Sequence, residues 1–249
     1  MQFEEVMTRL KAVRPPEGWQ SNVLLLPEAA MRTIWQRIVE QELRCCLELG
    51  TGWGATSCVI AAALDEIGGG ELRTIDVHQL EPINVRFLMQ ATGVAALSAV
   101  RVDAVADPLG YNWVLADEIE ARSATGRCAP RYDFCLLDGA HEWSPDALAF
   151  YLAAKLLKPG GWLAVDDLDF RLRDMPHLAA TPYACYSDRE LDSLQMLRVF
   201  DLAVRQHPDF YLFSVQDGRV GWSRKRPAGL RGLLSRLRHA LLRVAGRSA

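Results

Sequence analysis

Two periods of hydrophobic and polar residues take turns along this chain. From residue 43 onward, short apolar runs of strand length are separated by stretches with helical spacing. LRCCLEL (43–49), ELRTIDV (71–77), AVRVDA (99–104), YDFCLLD (132–138) and WLAVDD (162–167) read as five strands. Helical spacing fills ATSCVIAAALDEI (55–67), residues 82–92 and residues 145–157, the last followed by a turn at Lys158-Pro159-Gly160-Gly161. It returns over 187–206. DFYLFSV, the turn Gln216-Asp217-Gly218 and RVGWSRK then predict an antiparallel hairpin. The first 44 residues read as two helical pieces broken at Pro15-Pro16 and Pro27. Residues 105–131 read as an inserted loop.

Strands alternating with helices at this rhythm predict an α/β fold, a mostly parallel sheet with helices on both faces. With the hairpin the count is seven strands, the last antiparallel. The expected division is a helical cap over 1–42, a ligand-binding body over 43–226 and a tail over 227–249. Ligands in such sheets bind beyond the carboxyl ends of the strands. Glu48, Asp76, Asp103, Asp138 and the pair Asp166-Asp167 all fall at predicted strand ends, so five strands are expected to deliver acids to one edge.

Composition adds an asymmetry. The net charge is −3, but nine of the 28 basic residues follow Asp217, where no acid occurs, so residues 1–217 carry 19 bases against 31 acids. The body is acidic, which argues against nucleic acid as its partner. Six cysteines with no CxxC pair suit reduced thiols and a cytoplasmic location rather than a zinc site. Cys45 and Cys46 are expected on opposite faces of one strand. The first residues, MQFEEVMTRLK, do not resemble a signal peptide, and no apolar run reaches membrane-spanning length.

The chemistry centres on CCLELGTGWGATS (45–57), where three glycines stand between a strand and a helix. Glycines there let backbone approach a ligand closely and aim helix amides at it. Gly50, Gly52 and Ala55 also satisfy a dinucleotide pattern, and a tight packing turn is the structural alternative. Glu48 weighs against a pyrophosphate, which a nearby carboxylate repels, and favours a cationic ligand. On these residues the chain resembles the class I S-adenosylmethionine-dependent methyltransferases, whose first motif is acid-x-Gly-x-Gly-x-Gly. Glu48, Gly50, Thr51, Gly52 and Gly54 match that motif, Asp76 the acid that binds ribose, and Asp103 the acid placed near adenine. YDFCLLDGAH and LLKPGGWLAVDD match the fourth and fifth strands, so the resemblance implies a Rossmann-like fold and S-adenosyl-L-methionine as methyl donor, with Asp138 beside it.

Methyl transfer from a sulfonium needs an acceptor held in line and made electron-rich, by a base or a divalent cation. LLDGAH and VDD resemble segments of a metal-dependent branch that O-methylates small molecules, related to catechol-type and antibiotic-tailoring enzymes. That resemblance implies Mg²⁺ held by Asp138, Asp166 and Asp167, with His141 as base. The branch commonly carries an acid just before this histidine, where this chain has Ala140. The alternatives are methyl transfer without a metal, to nitrogen, carbon or oxygen, or a binding protein without turnover.

Residues 229–245 place Leu230, Leu233, Leu234, Leu237, Leu241 and Val244 on one helical stripe flanked by Arg231, Arg236, Arg238 and Arg243. Such a basic amphipathic helix suits docking on the body, on a second copy in a homo-oligomer, or on an anionic membrane surface.

Overall fold

The computed structural model describes residues 1–15, 22–77, 82–124, 126–174, 186–227 and 229. The expected C-terminal helix lies outside them. Five strands run parallel: β1 (Cys45–Leu49), β2 (Gly70–Asp76), β3 (Val100–Ala106), β4 (Tyr132–Leu137) and β5 (Leu157–Val165). The hairpin of β6 (Phe210–Gln216) and β7 (Val220–Lys225) completes a seven-stranded sheet in the order β3-β2-β1-β4-β5-β7-β6. β7 is antiparallel to both of its neighbours, the reversed last strand the sequence predicts. Asp217 and Gly218 both take positive φ at the hairpin tip, a backbone that follows the natural twist of paired strands.

Side-chain parity splits the interior in two. Cys46, Phe134, Leu136 and Ala164 face α1 (Phe3–Ala12), α2 (Glu28–Gln41), α3 (Ala55–Glu66) and α4 (Val85–Ala91). Leu47, Leu49, Cys135, Leu137 and Val165 face α5 (Tyr111–Ala121), α6 (Trp143–Leu156) and α8 (Gln195–Arg198), which follows the short α7 (Asp188–Asp192). Apolar residues on both faces of a strand are what a sheet covered by helices on both sides requires. Cys45 and Cys46 do fall on opposite faces, and Cys46, Cys58 and Cys135 are buried free thiols. Among the described residues no helix is long and apolar enough to cross a membrane.

Three expectations change. The loop assigned to 105–131 contains α5, which buries Tyr111, Val114, Leu115 and Glu118, one stripe at helical spacing. Lys158 to Gly161 form an irregularity inside β5 rather than a separate turn, because the pairing jumps from Tyr132↔Leu157 to Phe134↔Trp162. The helix expected over 187–206 breaks after α7. It opens on a reciprocal cap between Ser187 and Glu190, and it ends in a wide turn where Arg205 N bonds Phe200 O at 2.8 Å.

The N-terminal helices share their core with the sheet. Arg37 of α2 places its guanidinium 4.0 Å from the Trp162 ring and 4.4 Å from the Trp222 ring, while Trp162 Nε1 donates to Gln41 Oε1 at 2.8 Å. Two indole faces stand in for the carboxylate a half-buried arginine would otherwise need. Arg37→Ala should lower the unfolding free energy by about 1–3 kcal/mol. In urea titration it should shift the midpoint without changing the slope.

Candidate active site

The carboxyl ends of β1, β2 and β4 meet around a cavity of ≈ 210 Å³. Its wall includes Glu48, Gly50, Thr51, Gly52, Gly54, Asp76, Asp138 and His141, so eight residues singled out from the sequence share one space. The glycine loop is fixed by sterics. Gly50 has φ +92°, and a Cβ there would lie 1.7 Å from the Asp138 carbonyl oxygen. Gly54, at the same φ, would drive a Cβ to 2.6 Å from Val85 Cα. Hydrogen bonds from Gly50 N to Ile75 O and from Asp138 N to Leu49 O, both 2.8 Å, carry the sheet's order right up to the loop.

Asp76 closes that loop. Its Oδ2 accepts from the amides of Thr51 and Gly52, each at 2.9 Å, and its Oδ1 from Val77 N at 2.7 Å. Thr51 Oγ1 lies 2.6 Å from Thr74 Oγ1. Glu48 lies beneath, 1% exposed, accepting a short hydrogen bond from the Ser57 hydroxyl of α3. Burial pushes its pKa up to about 7, and the nearby Asp76 adds to this, against the hydrogen bonds from Ser57 and Thr74. Near neutral pH the group therefore stands poised between its two charge states.

The second half of the site gathers acids from β4 and β5. Burial, and after it Asp166, Asp167 and Glu48, push the Asp138 carboxyl well above the usual carboxylate range. Asp167, in the left-handed region at φ +59°, is also raised, by burial and by Asp166. Its Oδ2 is 3.2 Å from His141 Nδ1, close enough for an ion pair but off the line of a hydrogen bond. One ligating atom each from Asp138, His141 and Asp167 lies within 4.8 Å of the others, a spacing able to hold a metal ion. His141 itself has φ +60°, and its ring meets Phe170 edge-on at 5.4 Å.

Asp166 is differently engaged. Arg219, one residue before β7, donates Nε to Oδ1 and Nη2 to Oδ2 of the 1% exposed Asp166, each at 3.0 Å. The same Nη2 stands 2.6 Å from Asp167 Oδ1 and 3.3 Å from the Leu25 carbonyl. Burial opposes the charge on Arg219, but the surrounding carboxylates outweigh it and raise its pKa. A second support lies under the Asp138–His141 turn. Tyr111 Oη donates to Asp146 Oδ1 and accepts from Ala140 N at 3.1 Å, while Asp146 Oδ2 accepts from Glu142 N at 3.0 Å.

Asp103 does not join this group. β3 runs on to Ala106, which leaves Asp103 in mid-strand, paired across the ladder with Arg73 and 3.5 Å from its Nε. Asp169 is exposed. Trp53, inside the glycine loop, is buried in the core shared with α1 to α4. Sequence reasoning missed Arg219, Tyr111 and Asp146. It also missed Val23 and Leu25, which line the cavity from the N-terminal segment.

Residues 47–168 match a family model described as a methyltransferase domain. No curated protein matches the chain by sequence. Among solved structures, the O-methyltransferase TomG from Streptomyces achromogenes, involved in tomaymycin synthesis and in complex with SAM, is similar at 19% identity. The match covers 91% of each chain, with a TM-score of 0.57. An O-methyltransferase from Bacillus cereus in complex with SAH is also similar at 19% identity, over 90% of each chain, with a TM-score of 0.56. The MycE methyltransferase of the mycinamycin pathway, in complex with Mg, SAH and mycinamycin VI, matches at 16% identity and a TM-score of 0.51. That match covers 91% of this chain and 55% of MycE. At these identities the likeness is one of fold.

Glu48 gives a stability test with a defined sign. Its folded pKa of about 7 exceeds the ordinary 4.5. Its contribution is thus complete below pH 4.5 and is lost as pH rises through 7. The loss amounts to about 3 kcal/mol by the top of that window. Glu48→Gln should therefore raise the melting temperature of the ligand-free protein at pH 8, the gap from wild type shrinking toward pH 5. A variant that melts below wild type at pH 8 would contradict this account.

Proposed function

We propose that this chain, whose residues 47–168 match a methyltransferase domain and whose sheet has the order described above, is a class I S-adenosylmethionine-dependent methyltransferase that O-methylates a hydroxyl of a small molecule. One observation carries the reading. The acid-rimmed glycine loop and the Asp138–His141 turn are two walls of the same cavity, so a cationic donor and a proton acceptor share one space.

In this reading Asp76 receives the ribose hydroxyls of the donor. The amides of the Gly50–Gly54 loop border its amino-acid end, and the ionised form of Glu48 balances that end's ammonium charge. The acceptor oxygen attacks the donor methyl carbon as the carbon–sulfur bond breaks. The bonding pair stays on sulfur, which leaves as a neutral thioether. The charge of the Asp167 carboxylate, 3.2 Å from His141 Nδ1, favours the tautomer protonated there, and Nε2 then takes the proton of the acceptor hydroxyl. Tyr111 and Asp146 hold the turn that presents His141.

The Mg²⁺ implied by the family resemblance does not fit its expected ligands. Arg219 engages both oxygens of Asp166 and Oδ1 of Asp167. The remaining group, one carboxylate oxygen each from Asp138 and Asp167 and one ring nitrogen of His141, mixes nitrogen with oxygen, whereas Mg²⁺ favours near-ideal octahedral oxygen surroundings. No step is assigned to a metal.

Calorimetry with S-adenosylhomocysteine tests the donor site. Binding should tighten as pH rises through about 7, where Glu48 ionises, and level off above. Glu48→Gln should flatten that rise. Asp76→Ala should weaken binding by roughly 10–100-fold, the worth of hydrogen bonds to a charged group. Wild-type protein that gives no binding heat at pH 8 would remove the donor assignment.

A further inference from the structure

We propose that Arg219 is the resident cation of this site, its guanidinium taking the place at the β5 carboxylates where the family resemblance calls for a divalent ion. Two adjacent carboxylates end β5, and one of them, Asp166, is 1% exposed. Side by side in such a place they need a positive charge close by. The guanidinium supplies it in the geometry that suits a carboxylate best, a fork of two parallel N–H bonds at 3.0 Å each. It also spans the pair, because Nη2 reaches Asp167 Oδ1 at 2.6 Å.

Chain geometry places this arginine for the task. Val165 pairs with Gly221 across the antiparallel β5–β7 ladder, so the residue two before Gly221 comes level with the acids just beyond Val165. Leu168 N donates to the Arg219 carbonyl at 2.9 Å, which fixes that backbone as well. A lysine would offer a point charge without the fork. Through Asp167 the guanidinium acts on His141, whose Nδ1 faces the oxygen that Arg219 leaves free. Arg219 is thus a positioning residue, and it makes the cation part of the polypeptide. This inference rests on the methyl-transfer reading for its place in turnover, but the geometry that supports it is independent of the acceptor.

The experiment uses Mn²⁺ as a paramagnetic stand-in for Mg²⁺, followed by the loss of its free-ion resonance signal. Wild-type protein treated with chelator and dialysed should take up no Mn²⁺, and its binding of S-adenosylhomocysteine should be unchanged by chelator. Arg219→Gln should gain one Mn²⁺ site per chain. Arg219→Gln combined with Asp166→Asn should lose that site again. Arg219→Lys, which keeps a charge but frees an oxygen of Asp166, should bind Mn²⁺ with intermediate strength, and it serves if the glutamine variant does not fold. One Mn²⁺ bound per wild-type chain and abolished by Asp138→Asn would overturn the proposal. So would a folded Arg219→Gln that binds none. Failure of S-adenosylhomocysteine to bind at all would instead count against the donor reading, so the two failures are told apart.

Discussion

The contact between Gly50 and the carbonyl of Asp138 is the constraint on which the site depends. Parallel strands β1 and β4 run together until their ends almost touch, and the chain can turn there only because residue 50 carries no side chain. That approach sets the glycine loop against the turn bearing Asp138 and His141. With a Cβ at position 50 the two walls would separate by more than a bond length. On the reading proposed above, the donor and the proton acceptor would then no longer face one another.

Around that contact the protein concentrates acids and meets the consequences in two ways. Glu48 has hydrogen-bond partners but, among the described residues, no cation acting on it, so burial holds it near the midpoint of its titration at neutral pH. It destabilises the fold near neutral pH, and on the reading proposed above the donor's ammonium charge offsets that cost. Asp166 is treated in the opposite manner, fully paired with a guanidinium that does not leave. The glycine-loop end of the site is left short of positive charge, and the carboxylates after β5 are supplied with it.

The alternation of strands and helices, the seven-stranded sheet and the glycine loop were legible because each is a local pattern a few residues long. What escaped needed information from elsewhere in the chain. α5 carries a proper stripe of Tyr111, Val114, Leu115 and Glu118, but the polar run ADEIEARSATGRCAP (116–130) gave the segment the look of a loop. Glu118 is there to join Arg73 of β2, Arg131 just before β4 and Tyr132 of β4. Asp103 was misplaced because nothing local shows that β3 continues to Ala106. Arg219 lies 53 residues from Asp166, and only the antiparallel register brings them together.

Asp76 shows how a ligand must be received. A carboxylate offers about four lone-pair positions. Thr51, Gly52 and Val77 amides fill three of them. A sugar diol, on the reading proposed above, brings two hydroxyl donors to a group with one vacancy. Its arrival thus displaces at least one amide, and the freed N–H turns toward the newcomer or toward water. Recognition of the sugar and release of the loop become a single exchange, which ties the selectivity of the pocket to the motion of its own rim.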